Sequence, residues 1–561
     1  MGNGSMVQTR WRYMTAQIVL LALLAALVWR VVYLQVLQKD FLISEGTSRW
    51  QRVEVINAPR GMLTDRNGDP VAVSTPVISI WADPREIKAE DIPALAKAVG
   101  VSSKVLKTRA EQHRAFMYVK RHMTPEAANK IIELNLPGVY GQSEYKRYYP
   151  AGEVVSHVVG FTDVDDQGQE GVELAFDAQL QAVSGKKEVV RDLLGRSVRD
   201  VGELTAAHPG KNLSLTIDLR LQYLAYRELK QAIASFGAKS GSVVVMNIHT
   251  GEILALVNQP GYNPNDRSVL DPSALRNRAV TDLVEPGSVM KPITMAIALD
   301  AGLVGKNTKI NTSPGYMKLG RFSIRDFRNY GTLTATEVIQ KSSNVGIARL
   351  SADIPKQTYW QTLYDFGLGD AIGLGYPGEA TGSIPSPLNW DEVTQGALSY
   401  GYGMAITPLH LAQAFATLAN DGKRVYAKLI KDSPSPDYVT QVVSPAAART
   451  VIDMMKTVVE PGGTARRANL DWYSVAGKTG TSHKVGSAGY DDSKYLSSFV
   501  GIAPADNPEI VTVVVINEPP EDQYYGGEVA APIFKGFMQQ ALPLLGIKPD
   551  KTPLLAQGYR S

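Results

Sequence analysis

A helix that is apolar on every side has to lie inside a domain, and one stretch of this 561-residue chain has that character. After Glu285-Pro286-Gly287, which breaks whatever precedes it, Ser288-Val289-Met290-Lys291-Pro292 leads into Ile293, Met295, Ala296, Ile297, Ala298 and Leu299. Between Lys291 and Asp300 the only polar side chain is Thr294. A helix starting near Ser288 puts Ser288 and Lys291 three residues apart on one face. Pro292 then falls near the first turn, where its missing N–H costs least. A serine hydroxyl is a poor nucleophile until a base takes its proton. Burial at the mouth of such a helix disfavours a charged lysine and can take it from about 10.4 to roughly 5–7. The pair therefore reads as nucleophile and general base. The plainer alternative is a serine capping a core helix beside a lysine that reaches solvent. Ser184-Gly185-Lys186-Lys187 has the same spacing in a charged turn, so the spacing alone decides little.

The length predicts two or three domains. An apolar fraction of 44% and a charged fraction of 20% are those of globular protein, which argues against long disorder. The net charge of +3, from 58 basic and 55 acidic residues, gives no electrostatic case for nucleic acid. The absence of cysteine removes thiol catalysis, disulfides and cysteine-ligated metal. Seven scattered histidines without a His-Glu-x-x-His pattern argue against a zinc enzyme, and no metal or other cofactor is expected.

Tyr13 to Trp29 is a charge-free run, and apolar character resumes after Arg30 through Val36. About 20 residues span a bilayer core, so residues 13–36 are expected to form a transmembrane anchor. Arg10 and Arg12 precede it without an acidic neighbour, which places a cytoplasmic tail at residues 1–12 and the bulk of the chain outside. A cleaved signal peptide is the alternative, but no Ala-x-Ala site follows and the run is long for one.

Between residues 37 and 210 the chain is mixed and turn-rich. Ala58 to Gly68 reads as a strand entering an Asn-Gly turn, with Val71-Ala72-Val73 returning. Short helices are expected at Ile92–Val99 and Pro125–Leu134. Glycines and acids crowd Tyr149 to Glu153 and Asp163 to Glu173, and their expected role is structural. His208-Pro209-Gly210-Lys211 marks a boundary. Beyond it, Asp218 caps a helix, and Ser242–Ile248 with Ile253–Val257 reads as a hairpin. Thr334-Ala335-Thr336-Glu337 is a capping box, and Ala412–Ala419 continues the helical block. Strands follow at Val475–Thr481, Ser498–Ala503 and Ile510–Asn517, then a helix at Pro532–Leu542. That order predicts an α+β domain, an antiparallel sheet with helices on its faces, over residues 211–547. Residues 548–561 read as a tail.

Three short motifs stand in order: Ser288-x-x-Lys291, Ser342-x-Asn344 and Lys478-Thr479-Gly480. Ser342 offers a hydroxyl that can pass a proton, and Asn344 an amide that can hold a peptide carbonyl. Lys478 supplies positive charge, and Thr479 and Thr481 can bond a substrate carboxylate. Gly477 and Gly480 leave room for a peptide against the strand edge. Taken together, the motifs resemble those of serine β-lactamases and penicillin-binding proteins. The resemblance extends to Arg60–Gly68, Tyr149–Glu173, Thr216–Gln222, Lys341–Gly346, Tyr400-Gly401-Tyr402-Gly403 and Tyr524-Tyr525-Gly526-Gly527. On these residues the chain resembles class B penicillin-binding proteins of the cell-division type from the anchor to about residue 547. The first two stretches are expected in an N-terminal pedestal (dimerisation/interaction) domain over residues 37–210, which soluble β-lactamases lack.

The resemblance implies a peptidoglycan D,D-transpeptidase in the bacterial inner membrane, inhibited by β-lactams, with its catalytic domain in the periplasm. Ser288 would attack the D-Ala–D-Ala bond of a stem peptide, Lys291 take its proton and Ser342 relay it. The N–H groups of Ser288 and Thr481 would form the oxyanion hole, and Tyr402, Tyr524 and Tyr525 would line the cleft. The implied partners are the septal glycosyltransferase FtsW and other divisome proteins. Ser343 stands where class A β-lactamases carry Asp, and no deacylating glutamate motif is found, which argues against efficient hydrolysis. The competing readings are an elongation-type transpeptidase, a hydrolase, and a non-turnover β-lactam sensor or divisome scaffold.

Overall fold

The computed structural model describes residues 4–191, 197–268, 271–319, 322–434, 439–486 and 489–551. The apolar N-terminal run forms the helix Gly4–Val32, extended by a π-helical turn at Tyr33–Leu37. The most apolar 18-residue window of Arg10–Leu37 has a mean hydropathy of 2.2, and none of it is buried. A helix this long and this apolar fits a bilayer core about 30 Å thick.

The remainder divides into two compact units built from interleaved segments of the chain. Residues 60–75 and 146–181 belong with residues 210–561, while 1–59, 76–145 and 182–209 form the other unit. The Arg60–Gly68 and Tyr149–Glu173 stretches, expected in the pedestal, therefore lie in the larger unit.

In the smaller unit, residues 78–82 of the strand Pro70–Ala82 pair antiparallel with Met117–Met123. The helices Ile92–Val99, Ser103–Gln112 and Pro125–Ile132 cover a core of Ile80, Leu95, Val99, Leu106, Met117 and Ile131. A separate antiparallel ribbon comprises Gln51–Ile56, Gly185–Arg191 and Ser197–Thr205. The predicted Asn-Gly turn forms in the larger unit, with Leu63 opposite Ala72 and Gly68 at φ +96°.

The larger unit is built on a five-stranded antiparallel sheet. Its order is Ile253–Gln259, Ser240–Asn247, Ile510–Asn517, Gly489–Ala503 and Ala476–Gly486. The strand carrying Lys478 is thus an edge strand. Leu219–Phe236, capped by Asp218, and Gly526–Leu544 pack against the sheet. Lys291–Asp300 packs instead against the helices Asn344–Ala352 and Pro445–Val459, with every side chain from Lys291 to Ala298 buried. The carboxy-terminal residues are not all a free tail: Asp550 accepts from Ser474 N–H at 2.7 Å, and Lys551 Nζ donates to Asn469 at 2.9 Å. The rest of that stretch, 552–561, lies outside the described residues.

The acids and glycines around residue 170 have a specific purpose. Glu173, fully buried, accepts from Arg60 Nε at 2.7 Å and from Arg147 Nε at 2.6 Å. Arg60 also reaches Asp177 at 2.7 Å and the Glu173 carbonyl at 2.8 Å. Removing one partner of a buried ion pair strands the other's charge in low dielectric, which costs about 3–5 kcal/mol. Glu173→Gln should therefore lower the unfolding free energy of the larger unit by that order, seen as a lower urea midpoint by tryptophan fluorescence. A midpoint equal to that of the parent protein would show that water, not Glu173, compensates the two guanidinium groups.

Candidate active site

Ser288 lies in the 3-10 turn Gly287–Met290, which runs directly into the helix beginning at Lys291. The turn is held by a neighbouring loop: Gly287 N–H donates to the Gly401 carbonyl at 3.0 Å. Gly401 has φ +83°, and a methyl group there would sit 2.2 Å from the Gly287 carbonyl oxygen. Only glycine permits both the conformation and the approach. This accounts physically for the Tyr400-Gly401-Tyr402-Gly403 stretch.

Lys291 is completely buried, yet all its polar partners come from one other segment. Its Nζ lies 2.6 Å from the Ser342 carbonyl, 2.7 Å from Asn344 Oδ1 and 3.0 Å from Ser342 Oγ. That segment is a junction of two helices. The capping-box helix Ala335–Lys341 ends at Ser342, whose backbone is left-handed at φ +58°. Ser343 then caps the next helix, Asn344–Ala352, accepting from Gly346 N–H at 2.9 Å. A non-glycine residue held left-handed costs of order 1 kcal/mol and marks a place where surrounding contacts dictate the backbone.

From the other side comes Lys478, also fully buried, whose Nζ donates to Ser342 Oγ at 2.8 Å and to the Thr479 carbonyl at 3.1 Å. Burial pushes Lys478 down to about 7. Lys291 is held well below the ordinary lysine value, first by burial and then by the charge of Lys478, with Asp326 pulling the other way. A proton count agrees. With Lys291 neutral, its two N–H groups serve the Ser342 carbonyl and Asn344 Oδ1. Its lone pair then takes the Ser342 O–H, whose oxygen accepts from Lys478.

Lys291, Ser342, Asn344 and Lys478 thus form one hydrogen-bonded network, with Ser288 three residues before Lys291. The Ser288 hydroxyl, half-buried, makes no hydrogen bond among the described residues. Gly480 brings the edge strand against this turn: a methyl group there would meet Ser498 Oγ at 2.3 Å and the Pro286 carbonyl at 3.0 Å. The Thr481 main chain borders Gly287, the residue before Ser288. Both threonine hydroxyls have partners in the chain. Thr479 pairs with Thr464 at 2.9 Å, and Thr481 Oγ1 accepts from Gly526 N–H at 3.2 Å, keeping its own proton for an acceptor.

The aromatic residues fall in two groups. Tyr524 stacks on Tyr495 with ring centroids 3.8 Å apart and touches Tyr525 at 4.5 Å. Tyr402 belongs with Tyr400 and Tyr490, at 5.5 and 5.7 Å. Sequence reasoning missed Tyr495 and Tyr490 because it began the strand at Ser498. The strand starts at Gly489, and Tyr495 pairs with His483. Thr464 and Asp326 were also missed. The Asp326 carboxylate accepts from Asn344 N–H at 2.5 Å, Ser343 Oγ at 2.6 Å and Val345 N–H at 3.0 Å, but no local motif announces it.

Family models for the penicillin binding protein transpeptidase domain and the penicillin-binding protein dimerisation domain match residues 241–539 and 55–215. The chain is 42% identical over 550 residues to the peptidoglycan D,D-transpeptidase FtsI of Escherichia coli K12, covering 96% of this chain and 93% of that protein. The transpeptidase domain of penicillin-binding protein 3 from Burkholderia pseudomallei is 38% identical, with a TM-score of 0.56, over 60% of this chain and 98% of its own. Penicillin-binding protein 3 of Mycobacterium tuberculosis, solved with aztreonam, is 28% identical, with a TM-score of 0.69, over 89% and 99%.

A base works only while unprotonated, so a depressed Lys291 moves the acid limb of any Ser288 acylation downward in pH. The rate with an activated ester should already be level below about pH 10, where an ordinary lysine loses its proton, and fall only on further acidification. A rate that still climbs through about pH 10 would mean that Lys291 titrates as an ordinary lysine.

Proposed function

The chain belongs to the penicillin-binding protein transpeptidases, and we propose that Ser288 is the nucleophile with which it cross-links the stem peptides of septal peptidoglycan. The observation that carries the assignment is the amine of Lys291, buried, depressed and bonded to Ser342 and Asn344 one turn after Ser288. Family membership supplies the reaction class, a membrane-anchored D,D-transpeptidase that binds β-lactams.

The donor peptide lies along the open edge of the strand Ala476–Gly486, its penultimate D-Ala carbonyl over Ser288. The edge offers unpaired main-chain groups, and Gly480 lets the strand come close to the nucleophile. As Ser288 Oγ attacks, its proton passes to Lys291 and the carbonyl oxygen takes negative charge from the breaking π bond. The N–H groups of Ser288 and Thr481 receive that charge, and losing one such donor costs about 100- to 1000-fold in rate. Lys291 can take the new proton only if its lone pair is freed from the Ser342 O–H. Ser342 therefore turns toward the leaving nitrogen and gives up its proton there as the C–N bond breaks, and the proton on Lys291 refills the hydroxyl. Terminal D-Ala departs as an amine. The arriving substrate carboxylate favours protonated Lys478, which stands near its midpoint at neutral pH when the site is empty. An amine of a second stem peptide then attacks the ester, forms the cross-link and returns the proton to Ser288.

In this reading Tyr402, Tyr524 and Tyr525 line the cleft, joined by Tyr495. Residues 211–547 carry the transpeptidase, supported by the 60–75 and 146–181 segments, and the rest of 37–210 is the interaction module. Arg10 and Arg12 set the N-terminus in the cytoplasm and the catalytic unit in the periplasm. FtsW and its divisome companions are the proposed partners.

Intact-mass spectrometry with benzylpenicillin tests the assignment. The protein should gain one adduct that maps to Ser288 and lasts for hours. Lys291→Ala should remain folded and lose about 1000-fold or more in acylation rate. An adduct on another residue, or a Lys291→Ala protein acylated at the parental rate, would remove the assignment.

A further inference from the structure

The Ser342–Asn344 junction bears the residues on which Lys291 rests, but it does not hold itself in place. Its one anchoring carboxylate comes from 17 residues upstream of Ser343, where Asp326 follows the hairpin strand Phe322–Arg325. One oxygen accepts from Asn344 and Val345 N–H, and the other from Ser343 Oγ. The preceding Arg325 carbonyl accepts from Asn344 Nδ2 at 2.9 Å, which leaves Asn344 Oδ1 turned toward Lys291. We infer that Asp326 is a positioning residue for acylation: it pins the left-handed turn at Ser342 and is the carboxylate that faces Lys291 across Asn344.

Two physical arguments support this. The first is geometric. Three charge-assisted bonds hold the three residues after a strained backbone position, and such bonds are about twice as strong as neutral ones. If they were lost, Ser342 could relax from φ +58°, carrying both its carbonyl and its hydroxyl away from Lys291. The second is electrostatic. Lys291 and Lys478 lie within about 6 Å of each other, since both reach the same Ser342 oxygen, and like charges that close cannot both persist in a buried site. Facing Lys291 are Lys478 across Ser342 and Asp326 beyond Asn344; Arg328 and Tyr330 lie on the Asp326 segment itself. Asp326 raises the proton affinity of Lys291 against the two influences that lower it.

The inference rests on the acyl-serine reading, so the parent protein must first form its penicillin adduct at Ser288; failure there defeats that reading and not this one. With that adduct secured, acylation by a fluorescent penicillin is followed against pH for Asp326→Asn and Ser343→Ala. Asp326→Asn should lower the rate at its optimum by about 100-fold, as expected when a reacting group is displaced by about 1 Å. Its acid limb should move to lower pH, because without the anion Lys291 sheds its proton more readily. Ser343→Ala keeps the charge and loses the bond to Asp326 together with the cap on Gly346 N–H, so its rate should fall about 10-fold with the limb in place. An Asp326→Asn protein with the parental limb would reduce Asp326 to a structural cap. A parental rate in Ser343→Ala would overturn the positioning role, even if Asp326→Asn proves too unstable to measure.

Discussion

Everything in the catalytic unit depends on keeping a lysine amine out of water. Taking a charged ammonium into a dry interior costs several kcal/mol, so the group gives up its proton and looks for hydrogen bonds instead. Lys291 finds them only because two helices meet at Ser342 with the chain bent left-handed, and because Lys478 lies close enough to discourage a second charge. The buried helix behind Lys291, the edge strand in front and the Asp326 segment alongside are three walls of one compartment. A looser arrangement would let water in and restore an ordinary, inert lysine.

Much of this was readable from residues. The all-round apolar run after Lys291 meant burial, and burial implied an amine with a depressed proton affinity; both are present in the structure. Thr334 and Glu337 announced the helix that ends at Ser342, and Asp218 announced the one that backs the sheet. The short, β-branched apolar run Ile510–Asn517 and the Asn-Gly turn at residue 67 were equally local signals. Each depends on contacts within a few positions, which is why sequence reasoning reaches it.

What could not be read was long-range. The partition into units follows Arg60, Arg147 and Glu173, whose pairing spans up to 113 residues and has no periodicity to reveal it. Asp326 sits beside the Ser343 hydroxyl through tertiary folding alone. Tyr495 was hidden for a different reason. Asp491, Asp492, Ser493 and Lys494 look like a loop, yet pairing with Ala476–Gly486 resumes on both sides of them, at Asp491 and at Tyr495, so that residues 492–494 are a bulge within one strand. The helix-to-turn transition at Ser288 was off by half a turn, because Pro292 and the bond from Gly287 to Gly401 favour a tighter 3-10 start.

The glycine contacts around the nucleophile carry a consequence for how such a protein can vary under drug pressure. At Gly401 and Gly480 a single added carbon would collide with the backbone or side chains that shape the turn, so mutational escape at these positions sacrifices the enzyme along with the inhibitor. Tyr525, 45% exposed, and Phe327, 85% exposed beside Asp326, are bound by no such limit. Heritable change is therefore channelled to exposed side chains of this kind, and the glycine-bound turn is the part of the molecule that cannot drift.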